Sequence, residues 1–220
     1  MKLVLASGSQ RRRELLTMCG YDYEIIVSNA DETIDENDPE SFVRALSFRK
    51  AKEVFDRLFA AGRRDFAVIG SDTVVAFQKD GEAKPVIIGK PKDAEDAVRI
   101  LSMLSGKTHR VFTGVSVIAD IPDENAAAQC SIRKKEEIQT ECSITEVTFE
   151  TLSPDEITDY VNSGDPLDKA GSYGIQGPFG MFVREIRGNY FTVIGMPIPV
   201  LYKMLKKIGI LPHGFYERIE

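Results

Sequence analysis

The sequence predicts an α/β chain built on a mixed sheet flanked by helices. Two observations carry this prediction. Short β-rich apolar runs alternate with capped helical stretches, and strand pairs close enough for hairpins coexist with strands separated by helical crossovers. At 220 residues, the chain reads as a single domain spanning 1–220, with room for a core that needs no disulfide or metal staples.

The elements follow in order. Lys2 to Ala6 is a nearly continuous apolar run, hence a buried strand, and it enters Ser7-Gly8-Ser9 and a helix from Gln10 to Met18 that stops near Gly20. Tyr23 to Val27 predicts a second strand, followed by an acidic loop from Asp31 to Asp38. Asp38 as N-cap, Pro39 at the first helical position and Glu40 in the first turn start a long helix, which Gly62 ends. Phe66–Gly70 and Val74–Phe77 read as two strands split by Ser71-Asp72-Thr73. Asp93 caps a third helix with the stripe Ala97, Ile100, Leu101 and Leu104, closed by Gly106, and Arg110 to Ala119 is a strand.

From Asp120 to Gln139 the composition turns polar and loses its period, so residues 120–139 are expected to form a surface excursion at the tip of a long hairpin. Thr145, Val147 and Phe149 alternate with polar residues as in a half-buried strand, and Ser153-Pro154-Asp155-Glu156 is a capping box whose helix ends near Gly164. Beyond a glycine-rich stretch to Gly180, Met181–Ile186 and Tyr190–Ile194 predict a hairpin about Arg187-Gly188-Asn189, followed by a final amphipathic helix through Leu201 and Leu205.

Charge and composition exclude several functions. With 28 Lys+Arg against 34 Asp+Glu the formal charge is −6, which argues against a nucleic-acid polymer as partner but not against one small anion in a local basic pocket. Cys19, Cys130 and Cys142 are far apart, so no disulfide framework or CxxC pair is expected, and a reducing, cytoplasmic setting fits best. His109 and His213 are too few for an imidazole metal cluster, so any metal would be a hard cation on carboxylates. The N-terminal run is too short for a signal peptide, and no stretch approaches the roughly 20 apolar residues of a membrane span.

Five features can carry chemistry. Ser7-Gly8-Ser9 leads into a helix that starts with Arg11, Arg12 and Arg13. Cations at a helix N-terminus oppose its dipole, a conflict that a phosphate relieves by taking both the free amides and the guanidinium forks; solvated arginines on an ordinary helix are the alternative. Asp31-Glu32 and the Asp72 of Gly70-Ser71-Asp72-Thr73 offer carboxylates of the kind that hold Mg²⁺ against a polyphosphate, or are simply loop and cap residues. Gly89-Lys90-Pro91 fixes a lysine ahead of the third helix. In Asp168-Lys169-Ala170-Gly171-Ser172-Tyr173-Gly174-Ile175-Gln176-Gly177 the glycines allow close backbone approach, and Gln176 has the donor and acceptor that suit a nucleobase edge. A glycine-rich turn with a surface Asp–Lys pair is the plainer reading of that segment.

Together with Arg49-Lys50-Ala51 and Thr113-Gly114-Val115, these motifs resemble the Maf family of nucleotide pyrophosphatases over almost the whole chain. Gln10 departs from the proline usual ahead of the family's arginines. The resemblance implies an elongated Maf/ITPase-like fold, a homodimer, and hydrolysis of a nucleoside triphosphate to the monophosphate and pyrophosphate with Mg²⁺ or Mn²⁺. It further implies Asp72 as general base, Glu32 and Asp72 as metal ligands, and Ser7, Arg11, Arg12, Lys50, Thr73, Lys90, Lys169 and Gln176 as substrate-binding residues. Thr73 and Gln176 resemble the branch acting on dTTP and UTP and not the one preferring 7-methyl-GTP. A non-catalytic nucleotide sensor in division control and a nucleic-acid-binding module using Arg11 to Arg13, the latter disfavoured by the charge of −6, are the rival readings.

Overall fold

The structure is a computed structural model that describes residues 1–79, 81–82, 84–121 and 135–214. Its elements are β1 (Lys2–Leu5), α1 (Gln10–Met18), β2 (Glu24–Ile25), α2 (Pro39–Ala60), β3 (Phe66–Phe77), β4 (Val86–Ile88), α3 (Ala94–Leu104), β5 (Thr108–Ile121), β6 (Lys135–Phe149), α4 (Pro154–Asn162), β7 (Val183–Arg187), α5 (Tyr190–Ile194) and α6 (Ile198–Lys207). Short 3₁₀ turns occupy Asp165–Asp168, Ala170–Ser172 and Pro178–Phe182. The caps behave as their chemistry requires. Asp38 accepts from the Ser41 amide, Asp93 from the Asp96 amide, and Ser153 and Glu156 satisfy each other's backbone.

One seven-stranded sheet runs β2-β1-β3-β5-β6-β7, with β4 also on β3. It is mixed: β1 is parallel to β2 and β3, and the other ladders are antiparallel. Both faces of β1 are covered. Leu3 and Leu5 pack against Leu15 and Leu16 of α1 and Leu201 and Leu205 of α6, while Val4 and Ala6 meet Ala51, Val54 and Phe55 of α2. That double burial is why the strand reads as continuous and not alternating.

The arrangement of β3 creates an opening in the sheet. Along one edge it pairs with β1 only at Phe66–Ile69 and with β4 only at Val75–Phe77, whereas β5 follows the other edge from Ala67 to Ala76. Gly70–Val74 therefore have no ladder partner on the first edge among the described residues. The gap lies just past the end of β1, where loops and helix termini have room to converge.

Close packing of α2 fixes what hangs over that gap. A Cβ on Gly114 would lie 2.2 Å from Val43 O, and one on Gly70 would lie 2.2 Å from Ser47 O. Only glycine permits the helix to rest on β3 and β5 at this distance.

Several expectations change. Ser71-Asp72-Thr73 does not split two strands: β3 is one 12-residue strand, with Asp72 opposite Gly114. Its buried polar groups are tolerated because they have partners, Ser71 Oγ lying 2.9 Å from Gly114 O and 3.0 Å from Gly195 O. The second strand shrinks from Tyr23–Val27 to Glu24–Ile25. The 120–139 excursion is shorter than expected, since β5 continues to Ile121 and β6 begins at Lys135, pairing Asp120 with Glu136; residues 122–134 lie outside the described residues, as does Cys130. Tyr190–Ile194 is helix, not strand, because Asn189 caps the Phe191 amide and Gly195, at φ 111°, terminates the turn. Among the described residues, no helix is long and apolar enough to cross a membrane.

Candidate active site

A cleft of about 760 Å³ opens at the β3 gap. Ser7, Arg11, Arg12, Glu32, Lys50, Asp72, Thr73, Lys90, Lys169 and Gln176 all line it, so the structure brings every predicted site residue to one place. Strand alternation divides the labour within it. Asp72 follows Gly70 on the face covered by α2, while Thr73 faces the start of α1 and the α5–α6 junction.

On the Thr73 side, Arg12 is locked by three bonds. Its Nε donates to Gly195 O at 2.8 Å, and its terminal nitrogens donate to Ser7 Oγ at 3.1 Å and Thr73 Oγ1 at 3.3 Å. Burial lowers the Arg12 pKa, an effect the nearby Asp72 charge opposes. Three of five N–H donors are used, leaving two for a ligand. The hydroxyl chain has a fixed direction: Thr113 Oγ1 donates to Thr192 O at 2.7 Å, so Thr73 donates to Thr113 at 3.0 Å and accepts from Arg12. Helix α1 supplies more positive potential, for Ser9 makes no side-chain cap and no acidic residue occupies the first turn. Arg11 reaches Asp168 Oδ2 at 3.3 Å, whereas Arg13 donates to Gly8 O and does not line the cleft.

On the Asp72 side, Lys50 is the central group. It lies on α2 in line with Leu46 and Val54, and the helix rests close enough on β3 for its ammonium to reach the gap. Lys50 Nζ is 2.7 Å from Asp72 Oδ1 and 2.9 Å from Glu32 Oε1, with the Lys50 and Asp72 side chains each 12% exposed and that of Glu32 65%. Asp72 Oδ2 makes no hydrogen bond among the described residues. No three His, Cys, Asp or Glu side chains converge as a metal cage among those residues. Glu32 and Asp72 nevertheless form a hard-oxygen pair facing one cationic point, a donor set that suits Mg²⁺ or Mn²⁺ shared with phosphate oxygens.

The glycine-rich segment forms the far wall. Lys169 Nζ contacts Asp165 O at 2.5 Å, Asp165 Oδ1 at 2.9 Å and Asp168 Oδ1 at 2.7 Å, so all three of its protons have partners within the segment. A Cβ on Gly174 would lie 2.6 Å from Lys169 Cε, so glycine leaves space for that side chain to cross. The Gly171 amide donates to Gly89 O at 3.0 Å, tying this wall to the loop that carries Lys90. Lys90 and Gln176 are exposed and make no ion pair or hydrogen bond among the described residues.

Sequence reasoning missed Tyr160, Asp165 and the Gly195 carbonyl. Tyr160 belongs to the buried stripe of α4 with Ile157 and Val161, and so reads as core. A main-chain carbonyl carries no side-chain signal at all.

A family model described as Maf-like protein matches residues 2–208. The chain is 40% identical over 217 residues to a dTTP/UTP pyrophosphatase of Agathobacter rectalis, covering 95% of this chain and 98% of that one. It is 42% identical over 210 residues to a dTTP/UTP pyrophosphatase of Bacillus thuringiensis subsp. konkukian, covering 95% and 96%. Among solved structures, that of the Staphylococcus aureus Ham1 protein aligns with 94% of this chain and 99% of its own at 16% identity and a TM-score of 0.48. The family match runs from β1 to the end of α6, and with relatives of this identity along nearly its whole length the chain belongs to the Maf family.

Proposed function

We propose that this chain is a nucleoside triphosphate pyrophosphatase that cleaves dTTP and UTP between the α- and β-phosphates. The observation that carries the reading is Asp72, a carboxylate with one oxygen uncommitted at a gap in the sheet, with cationic side chains around the same cleft. The names of the relatives at 40% and 42% identity support the pyrimidine substrates.

Asp72 Oδ2 takes a proton from the water that attacks the α-phosphorus. The bond from that phosphorus to the bridging oxygen breaks, and pyrophosphate leaves with the electron pair. The two free donors of Arg12, together with Arg11 and Lys90, stabilise charge on the phosphates, and the first-turn amides of α1 add to them. Ser7 and Thr73 hold the Arg12 fork in register, so its remaining protons need no reorganisation during the reaction. Lys169 holds the segment in place from which Gln176 meets the edge of the base. Glu32 and Asp72 would hold a divalent cation, which when bound would supply further charge neutralisation and lower the pKa of water. Positioned general-base chemistry contributes about 10²–10⁴-fold, so most of the acceleration falls to electrostatic positioning.

The test is pyrophosphate release across canonical and modified triphosphates with Mg²⁺ or Mn²⁺. Preference for dTTP and UTP is the expected result. Preference for 7-methyl-GTP overturns the substrate assignment, and nucleotide binding with no pyrophosphate overturns the enzymatic one.

A further inference from the structure

The ammonium of Lys50 stands between the two carboxylates that suit a divalent cation, 2.7 Å from Asp72 and 2.9 Å from Glu32. We infer that Lys50 is an exchangeable counter-ion: in the free protein it occupies the cation's place between Glu32 and Asp72, and it moves to the nucleotide phosphates when metal and triphosphate enter together. The inference rests on the pyrophosphatase reading for its nucleotide arm.

Three observations support it. Lys50 and Asp72 are largely withdrawn from solvent, so neither charge is stable there without an opposite one, and the ammonium serves Asp72 until another cation arrives. Glu32 lies on the loop after β2 and is mostly exposed, so it can follow whichever cation occupies the point. Lys50 is also the cation that α2 contributes to the cleft lining, with one proton uncommitted toward ligands.

The consequence concerns the ligand the site takes. A free divalent ion must break two ion pairs and leave a partly buried ammonium without a partner, so it binds poorly. A metal–triphosphate complex brings phosphate oxygens that receive the ammonium as the ion displaces it. The species recognised is thus the preformed complex, and metal and nucleotide affinities are coupled through Lys50.

The test is Mn²⁺ binding followed by electron paramagnetic resonance, on the wild-type chain and Lys50→Met, with and without a UTP analogue that cannot be cleaved between the α- and β-phosphates. Lys50→Met is expected to bind Mn²⁺ alone at least tenfold more tightly than wild type. The analogue is expected to tighten Mn²⁺ binding by a larger factor in wild type than in Lys50→Met, which removal of a nearby charge without exchange would not produce. Adding Asp72→Asn to Lys50→Met should erase the gain, locating the ion at this pair. Equal or weaker Mn²⁺ binding by Lys50→Met, equal coupling in the two proteins, or a gain that survives Asp72→Asn overturns the exchange. If circular dichroism shows Lys50→Met unfolded, Lys50→Gln carries the same comparisons. The free-metal arm reads without turnover, so wild-type chain that releases no pyrophosphate refutes the enzymatic reading separately.

Discussion

The Tyr160 hydroxyl donates to Asp165 Oδ2 at 2.5 Å and accepts the Gly174 amide at 3.1 Å. Burial, reinforced by the Asp165 carboxylate, pushes the phenol pKa up, so it remains a donor. Asp165 in turn grips Lys169, and one helix residue thereby fixes the wall that carries Gln176. Tyr160→Phe leaves an amide and a carboxylate oxygen without this partner, at a cost of about 1–3 kcal/mol. If about 1.4 kcal/mol of that falls on substrate binding, KM for UTP rises about tenfold with kcat nearly unchanged. Steady-state kinetics showing a fall in kcat at constant KM would contradict this positioning role.

Gly114→Ala sets a methyl group against the Val43 backbone, where no side chain can rotate away. Overpacking of this kind destabilises by about 1–3 kcal/mol. Thermal unfolding should register the loss, and activity should fall further because α2 carries Lys50 away from Asp72. Gly89→Ala has nothing within 4 Å of the added carbon and should leave the melting temperature unchanged.

Arg12→Lys keeps a charge but loses the planar fork that reaches Gly195, Ser7 and Thr73 together. Loss of such preorganised donors typically costs about 10²–10³ in rate. The expected outcome is a fall of that order in kcat/KM, while Arg13→Lys, which does not line the cleft and loses a contact to Gly8 O, retains near wild-type activity. Comparable effects of the two substitutions would show that the fork is not what matters.

His109 is buried against Phe149 and Tyr173, and burial holds its pKa down at about 3. An unfolded histidine titrates near 6.5, so below that pH the unfolded chain takes up a proton that the folded one refuses. Stability due to this site is therefore full above about pH 6.5 and is lost toward pH 3, at up to about 1.4 kcal/mol per pH unit. Denaturant titrations should show His109→Gln with a shallower fall in stability between about pH 6 and pH 4 than wild type. Parallel curves would contradict a neutral buried imidazole.

Local chemistry made much of this fold legible. Asp38-Pro39, Asp93 and the Ser153–Glu156 box announce three helices, and the continuous apolar run at Leu3–Ala6 announces a doubly covered strand. Where reading failed, partners distant in sequence decided the outcome. Ser71-Asp72-Thr73 looks like a turn until Val115, Gly114 and Thr113 pair with it, and the β-branched character of Tyr190–Ile194 yields to Asn189 and Gly195 at its ends. The site residues were found through ordered motifs, but not their arrangement. No spacing along the chain shows that α2 sits low enough on Gly70 and Gly114 for Lys50 to reach Asp72.

The proposed role of Asp72 is to activate water for attack at the α-phosphorus of a pyrimidine triphosphate. Its most direct test is the product pattern from UTP for wild type and Asp72→Asn, with circular dichroism verifying that both are folded. Equal amounts of UMP and pyrophosphate are expected from wild type and, with the base removed, a rate lower by about 10² or more. UDP with orthophosphate as products, or undiminished pyrophosphate release from folded Asp72→Asn, would contradict it.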